Sequence, residues 1–149
     1  MYQVSIPRFV HMLDNLATIL DKAQAYAEAK KIDAKVLPAS RLFPDMLPLV
    51  KQVQIATDHA KGCVARLAGV EVPKFADSEQ SFEELRARIA RIIAFVESFS
   101  AAQIDGSEER DIALRAGGQD MSFKGQTYLL GYAMPNFYFH LVTAYNILR

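Results

Sequence analysis

The chain has 149 residues, 51% of them apolar and 23% charged, the size and composition of one globular domain that needs no disulfide or metal to hold a core. Its 17 basic and 17 acidic residues cancel, which argues against nucleic acid or another polyanion as partner, since such binding draws on an excess of Lys and Arg. No stretch approaches the roughly 20 apolar residues of a membrane span, the N-terminus has no secretory pattern, and Cys63 is the only cysteine, so a reducing, cytoplasmic setting is expected.

Residues 6–30 read as a first long helix. Ile6, Phe9, Leu13, Leu16, Leu20, Ala23 and Ala27 recur at spacings of three and four and form one narrow stripe. Ser5 is placed as its N-cap, with Pro7 in the first turn, where a missing N–H costs nothing. Residues 31–43 form a connection interrupted by Pro38. A second helix is predicted from about Pro44 to Ala68, with Gly69 as its stop. Pro48 falls in its first turn or so and moves the start later if it acts as a breaker. The buried stripe there is Met46, Leu49, Val50, Val53, Ala56, Ala60, Val64 and Leu67.

Val70 to Gln80 is a polar connection containing Pro73. A third helix opens with a capping box, in which Ser81 is the N-cap and Glu84 reaches back to its N–H. Phe82, Leu85, Ile89, Ile92, Val96 and Phe99 then give the clearest amphipathic repeat in the chain, the seam of a helix bundle. Ala101 to Gln126 reads as a long non-helical stretch. Within it, Ile112 and Leu114, then Met121 and Phe123, alternate with polar neighbours on either side of Gly117-Gly118, which predicts a small β-hairpin.

Thr127 to Met134 is a short helical turn, and Pro135 restarts the chain as the first residue of a fourth helix. That helix is apolar nearly all round, from Phe137 to Leu148, and leaves no obvious solvent face. It is expected at the centre of the bundle or between two subunits. Arg149 follows without a Gly or Pro stop, so a further C-terminal tail is expected.

Chemistry points to the histidines. His11 lies on the polar side of the first helix and reads as a solvated residue. His59 lies at the edge of the buried stripe of the second helix, on the flank of Gln52 and Cys63. It reads either as a partly buried histidine satisfied by a hydrogen bond, or as a metal ligand or general base facing the core. His140 sits one turn after Asn136 on the apolar fourth helix, so the two project from one side. It needs a partner there, whether Asn136, Thr143 or a group on another helix. Asp58 and Lys61 are spaced as a surface ion pair. Tyr26, Tyr128, Tyr132, Tyr138 and Tyr145 read as core, interface or pocket wall, and Cys63 as a small buried apolar residue. No phosphate loop, Ser–His–Asp ordering or nucleotide fingerprint is present.

Leu13 to Ala23, Arg41-Leu42-Phe43-Pro44-Asp45-Met46, Ala65-Arg66-Leu67-Ala68-Gly69 and, most specifically, Pro135-Asn136-Phe137-Tyr138-Phe139-His140 resemble an uncharacterised, domain-of-unknown-function branch of the DinB/YfiT-like superfamily over essentially the whole chain. The resemblance implies an all-α, up-down four-helix bundle with a long crossover, commonly dimeric, here with a small hairpin or irregular insert before the last helix, as a single domain over residues 1–149. In metal-binding members, three histidines hold a divalent metal such as nickel, zinc or iron, one on the second helix and an i, i+4 pair on the last, and some members are thiol-dependent transferases or isomerases. By that resemblance His140 matches the second histidine of the pair, Asn136 replaces the first, and His59 falls about one turn after the place of the third, where Ile55 lies.

Two readings follow. In the first, the metal site of His59, Asn136 and His140 is degenerate, no cofactor is expected, and the protein is a small-molecule-binding or non-enzymatic homodimer with Tyr138, Val142 and Tyr145 as candidate contacts. In the second, the same three residues hold a divalent metal in an enzyme such as a thiol transferase or hydrolase. Imidazole is the preferred ligand for these metals and an amide oxygen binds them less well, so Asn136 favours the first reading and predicts a hydrogen-bonded His140–Asn136 cluster.

Overall fold

Asp105 starts the first helix, from 103 residues away. In the computed structural model, which describes residues 1–149, its carboxylate accepts from the Met1 ammonium at 2.9 Å and from the Tyr2 N–H at 2.7 Å. This supplies the acceptor that an N-cap side chain ordinarily provides. Helix α1 therefore runs Tyr2–Ala29, earlier than predicted. Ser5 is not its cap. It lies inside the first turns, and its hydroxyl donates to the Met1 carbonyl at 2.9 Å.

The next connection contains a short helix, α2 (Val36–Ala39), so Pro38 sits within a helical turn. Helix α3 (Leu49–Ala68) starts later than Pro44, because Pro48 in an extended conformation is its N-cap. The Leu49 N–H donates to the Ser40 carbonyl at 2.9 Å, which closes residues 40–49 into a loop. Gly69 ends α3 as expected, with φ of 73° in the left-handed region.

Helix α4 (Phe82–Glu97) has both halves of the capping box between Ser81 and Glu84. Phe82, Leu85, Ile89, Ile92 and Val96 are all buried, and so is Phe99 just beyond the helix end. The stripe holds one residue that hydropathy does not announce, the fully buried Arg88.

The stretch predicted as non-helical holds a short helix, α5 (Ala101–Ile104), before the hairpin. Strands β1 (Asp111–Ala116) and β2 (Gln119–Lys124) pair antiparallel, with Ile112 opposite Phe123 and Leu114 opposite Met121. Gly117 and Gly118 have φ of 57° and 80°, the two positive values a type I′ turn needs. The chain is thus helical apart from this one hairpin.

After the hairpin, α6 (Gly125–Tyr128), a π-helical turn (Leu129–Ala133) and α7 (Met134–Leu148) form one unbroken helical run. Pro135 does not restart the chain. It lacks an N–H for the Gly131 carbonyl four residues back, and the wider π turn before it accommodates that loss without ending the helix. Gly125 sits where a Cβ would come within 1.9 Å of the Ser107 carbonyl oxygen, so the return from the hairpin passes too close to the preceding loop for any side chain.

The four long helices share one core of 26 buried residues. Helix α3 packs against α7 and α4, and α1 against α4, while α1 and α7 touch only lightly. The α1–α7 side is left as a groove. One cavity along it, about 490 Å³, is walled by Ile19, Tyr26, Leu37 and Tyr145. Helix α7 is buried on one side only: Phe137, Leu141 and Ala144 are inside, whereas Phe139, Val142 and Tyr145 are 56%, 47% and 40% exposed. No helix is long and apolar enough to cross a membrane.

Candidate functional site

The packing of α3 on α7 brings His59 and His140 together. Their rings are stacked, 15° from parallel, with centroids 5.9 Å apart. His140 sits along α3 between His59 and Gln52, which is two turns earlier. Its Nδ1 lies 2.7 Å from Gln52 Oε1, and Gln52 Nε2 donates to the Leu47 carbonyl at 3.0 Å. The partner that His140 requires therefore comes from another helix.

Aromatic side chains from the hairpin and the π turn form the adjoining wall. Tyr132 meets His59 edge-on at 5.8 Å, stacks on Tyr128 at 5.9 Å and touches Phe123 at 5.4 Å. Tyr128 accepts from Arg66 at 3.0 Å. Burial pushes its phenol up to about 12, so it stays protonated at neutral pH.

Both imidazoles are held neutral. Burial lowers His59 to about 4, and the neighbouring His140 and Arg66 act in the same direction against an opposing pull from Asp58. Burial also lowers His140. His59 makes no hydrogen bond to the protein, contrary to the reading of a bond-satisfied core histidine. Gln54 Oε1 is the only buried side-chain oxygen or nitrogen lacking a partner, so the free nitrogens of His59 and His140 all reach the surface. The site thus offers neutral lone pairs, suited to accepting a hydrogen bond.

Asn136 is not bonded to His140. Its Nδ2 donates to the Tyr132 carbonyl at 2.7 Å, one turn back in the stretch where the π turn and Pro135 disturb the backbone ladder. The predicted His140–Asn136 cluster is replaced by His140–Gln52. A three-histidine type of metal centre is not met by these residues. No three His, Cys, Asp or Glu side chains gather at any point.

The remaining candidates lie elsewhere. His11 is exposed, with Asn15 at 3.2 Å. Cys63 is fully buried and burial raises its thiol, the inert type of cysteine. Asp58 and Lys61 do pair, at 2.7 Å, but not as a surface pair, because Lys61 is buried and Asp58 also holds Arg88 at 3.0 Å. Of the tyrosines, only Tyr128 and Tyr132 wall the site. Tyr26 and Tyr145 are exposed, and Tyr138 is half-buried against Phe137. Gln52, Arg66 and Phe123 carry no chemical signal of their own in the sequence, where Phe123 reads only as a hairpin position and Arg66 only as part of a family-like string. The flank shared by Gln52 and His59 was the one signal for the first of them.

The protein-family profile described as "Domain of unknown function (DUF1993)" matches residues 1–149. The crystal structure of a DinB family member from Shewanella denitrificans superposes with a TM-score of 0.92 at 44% identity, covering 99% of this chain and 84% of that one. No curated protein matches. Matched by that profile over its whole length, the chain belongs to the DUF1993 family, a branch of the DinB-like proteins.

Proposed function

We propose that this protein is a DinB-like up-down four-helix bundle in which the metal triad has degenerated and the His59–His140 pair receives a small uncharged molecule. One observation carries this: two imidazoles held neutral by burial face each other, with free nitrogens reaching the surface and an aromatic wall of Tyr132 beside them. Such a site binds through a few placed acceptors and apolar contact. We place it in a cytoplasmic homodimer, for which the apolar residues that α7 leaves exposed, Val142 and Tyr145 among them, are the support.

The second reading, a metal-dependent enzyme of the thiol-transferase or hydrolase kind, has one observation in its favour. The Gln52 contact on His140 Nδ1 is how metal-ligating histidines are commonly oriented from behind. Elemental analysis of protein purified without a histidine tag separates the two. The first reading expects no zinc, nickel or iron near one equivalent. Near-stoichiometric metal, lost in His140→Ala, establishes the second.

A further inference from the structure

Gln52 is 2% exposed and its amide is fixed at both ends. The Leu47 carbonyl can only accept, so the Gln52 atom facing it is the NH2 group, and the atom facing His140 is the oxygen. That oxygen can in turn only accept, so the proton of the contact sits on His140 Nδ1. A neutral imidazole has one N–H, and the lone pair is therefore left on Nε2. Free histidine in water favours the opposite tautomer, with the proton on Nε2, so the protein is imposing a choice.

We infer that Gln52 is the positioning residue of the histidine pair: pinned by the Leu47 carbonyl, it holds His140 in the Nδ1–H tautomer and makes Nε2 an acceptor for ligands that donate through a hydroxyl or thiol. This rests on the reading of the pair as a small-molecule site and names the ligand class. A carboxylate offers no proton to the Nε2 lone pair. The guanidinium nearest the pair, Arg66, is turned to the Tyr128 oxygen. Because Leu47 belongs to the loop closed between Ser40 and Leu49, the backbone of that loop, and not α3 alone, sets which nitrogen of His140 carries the proton.

The test is the imidazole ¹⁵N spectrum of the ligand-free protein near pH 7.5, where protonated and bare ring nitrogens resonate far apart. Wild type is expected to show His140 protonated at Nδ1. Gln52→Leu is expected to move the proton to Nε2, while Gln52→Glu, which keeps an acceptor, retains it on Nδ1. A wild-type His140 protonated at Nε2 overturns the inference, as does a folded Gln52→Leu with the tautomer unchanged. If Gln52→Leu fails to fold, wild type and Gln52→Glu decide. A second arm titrates wild type with 2-mercaptoethanol and, separately, acetate. The thiol-alcohol is expected to shift the His140 Nε2 resonance and acetate to leave it in place, and the reverse order overturns the ligand class. No response to either, with the Nδ1–H tautomer intact, leaves Gln52 as a positioning residue and overturns the small-molecule reading instead.

Discussion

Arg88 and Glu79 meet at 3.2 Å with both side chains out of water, Arg88 completely and Glu79 at 8% exposure. The guanidinium also holds Asp58 at 3.0 Å, Asp77 at 3.1 Å and the Thr57 hydroxyl at 2.8 Å. One side chain on α4 thus ties the polar connection after α3 to α3 itself. A buried cation is tolerated only when its hydrogen-bonding groups are met this fully.

Arg88→Met is expected to destabilise the fold by about 3 kcal/mol, since it leaves the buried Glu79 carboxylate without a cation and with only the Gln54 amide as side-chain donor, while the more exposed Asp58 and Asp77 turn to solvent. Urea unfolding measures it. A loss below about 1 kcal/mol means the cluster is decoration on a core that is stable without it.

Gly125→Ala forces a methyl against the Ser107 carbonyl and is expected to cost about 1–3 kcal/mol. Because the Gln126 N–H donates to the Glu108 carbonyl at 2.9 Å at the same crossing, the hairpin should loosen with it. Faster amide exchange in residues 111–124 than in α4 is the signature to look for. Uniform exchange across the two segments contradicts the local reading.

Acid should destabilise the protein partly through His59. An imidazole kept neutral in the folded chain, at about 4, takes up a proton freely once unfolded, near 6.5. Its stability contribution is therefore complete above about pH 6.5 and is lost as the pH falls through 4. The loss between pH 7 and pH 4 amounts to about 3 kcal/mol. His59→Gln removes this titration, so the stability difference between wild type and the variant should change with pH over that window. Parallel pH profiles would show that His59 titrates alike in both states.

Light scattering is expected to give twice the chain mass of 16.6 kDa at micromolar concentration, and Val142→Glu to return the monomer. Val142 is 47% exposed, so a charge there does not disturb the fold itself. A monomer mass for wild type at every concentration removes the homodimer from the proposal.

The helices were legible in the sequence wherever a short-range pattern carries the information. The three–four repeat from Phe82 to Phe99, the Ser81–Glu84 box, the Gly69 stop and the Gly117-Gly118 turn all depend on residues within a few positions of one another. What the tertiary structure alone decided is what distant segments supply. The start of α1 depends on Asp105, and the burial of Arg88 on carboxylates from α3 and the connection after it. The histidine pair follows the same division. His140 announced that it needed a partner, because an imidazole on an apolar helix cannot stay solvated. Asn136, one turn away, was the local choice. The fold gave the bond to Gln52, 88 residues distant, because the packing of α3 on α7 places its amide there, and the Leu47 carbonyl fixes which way that amide faces.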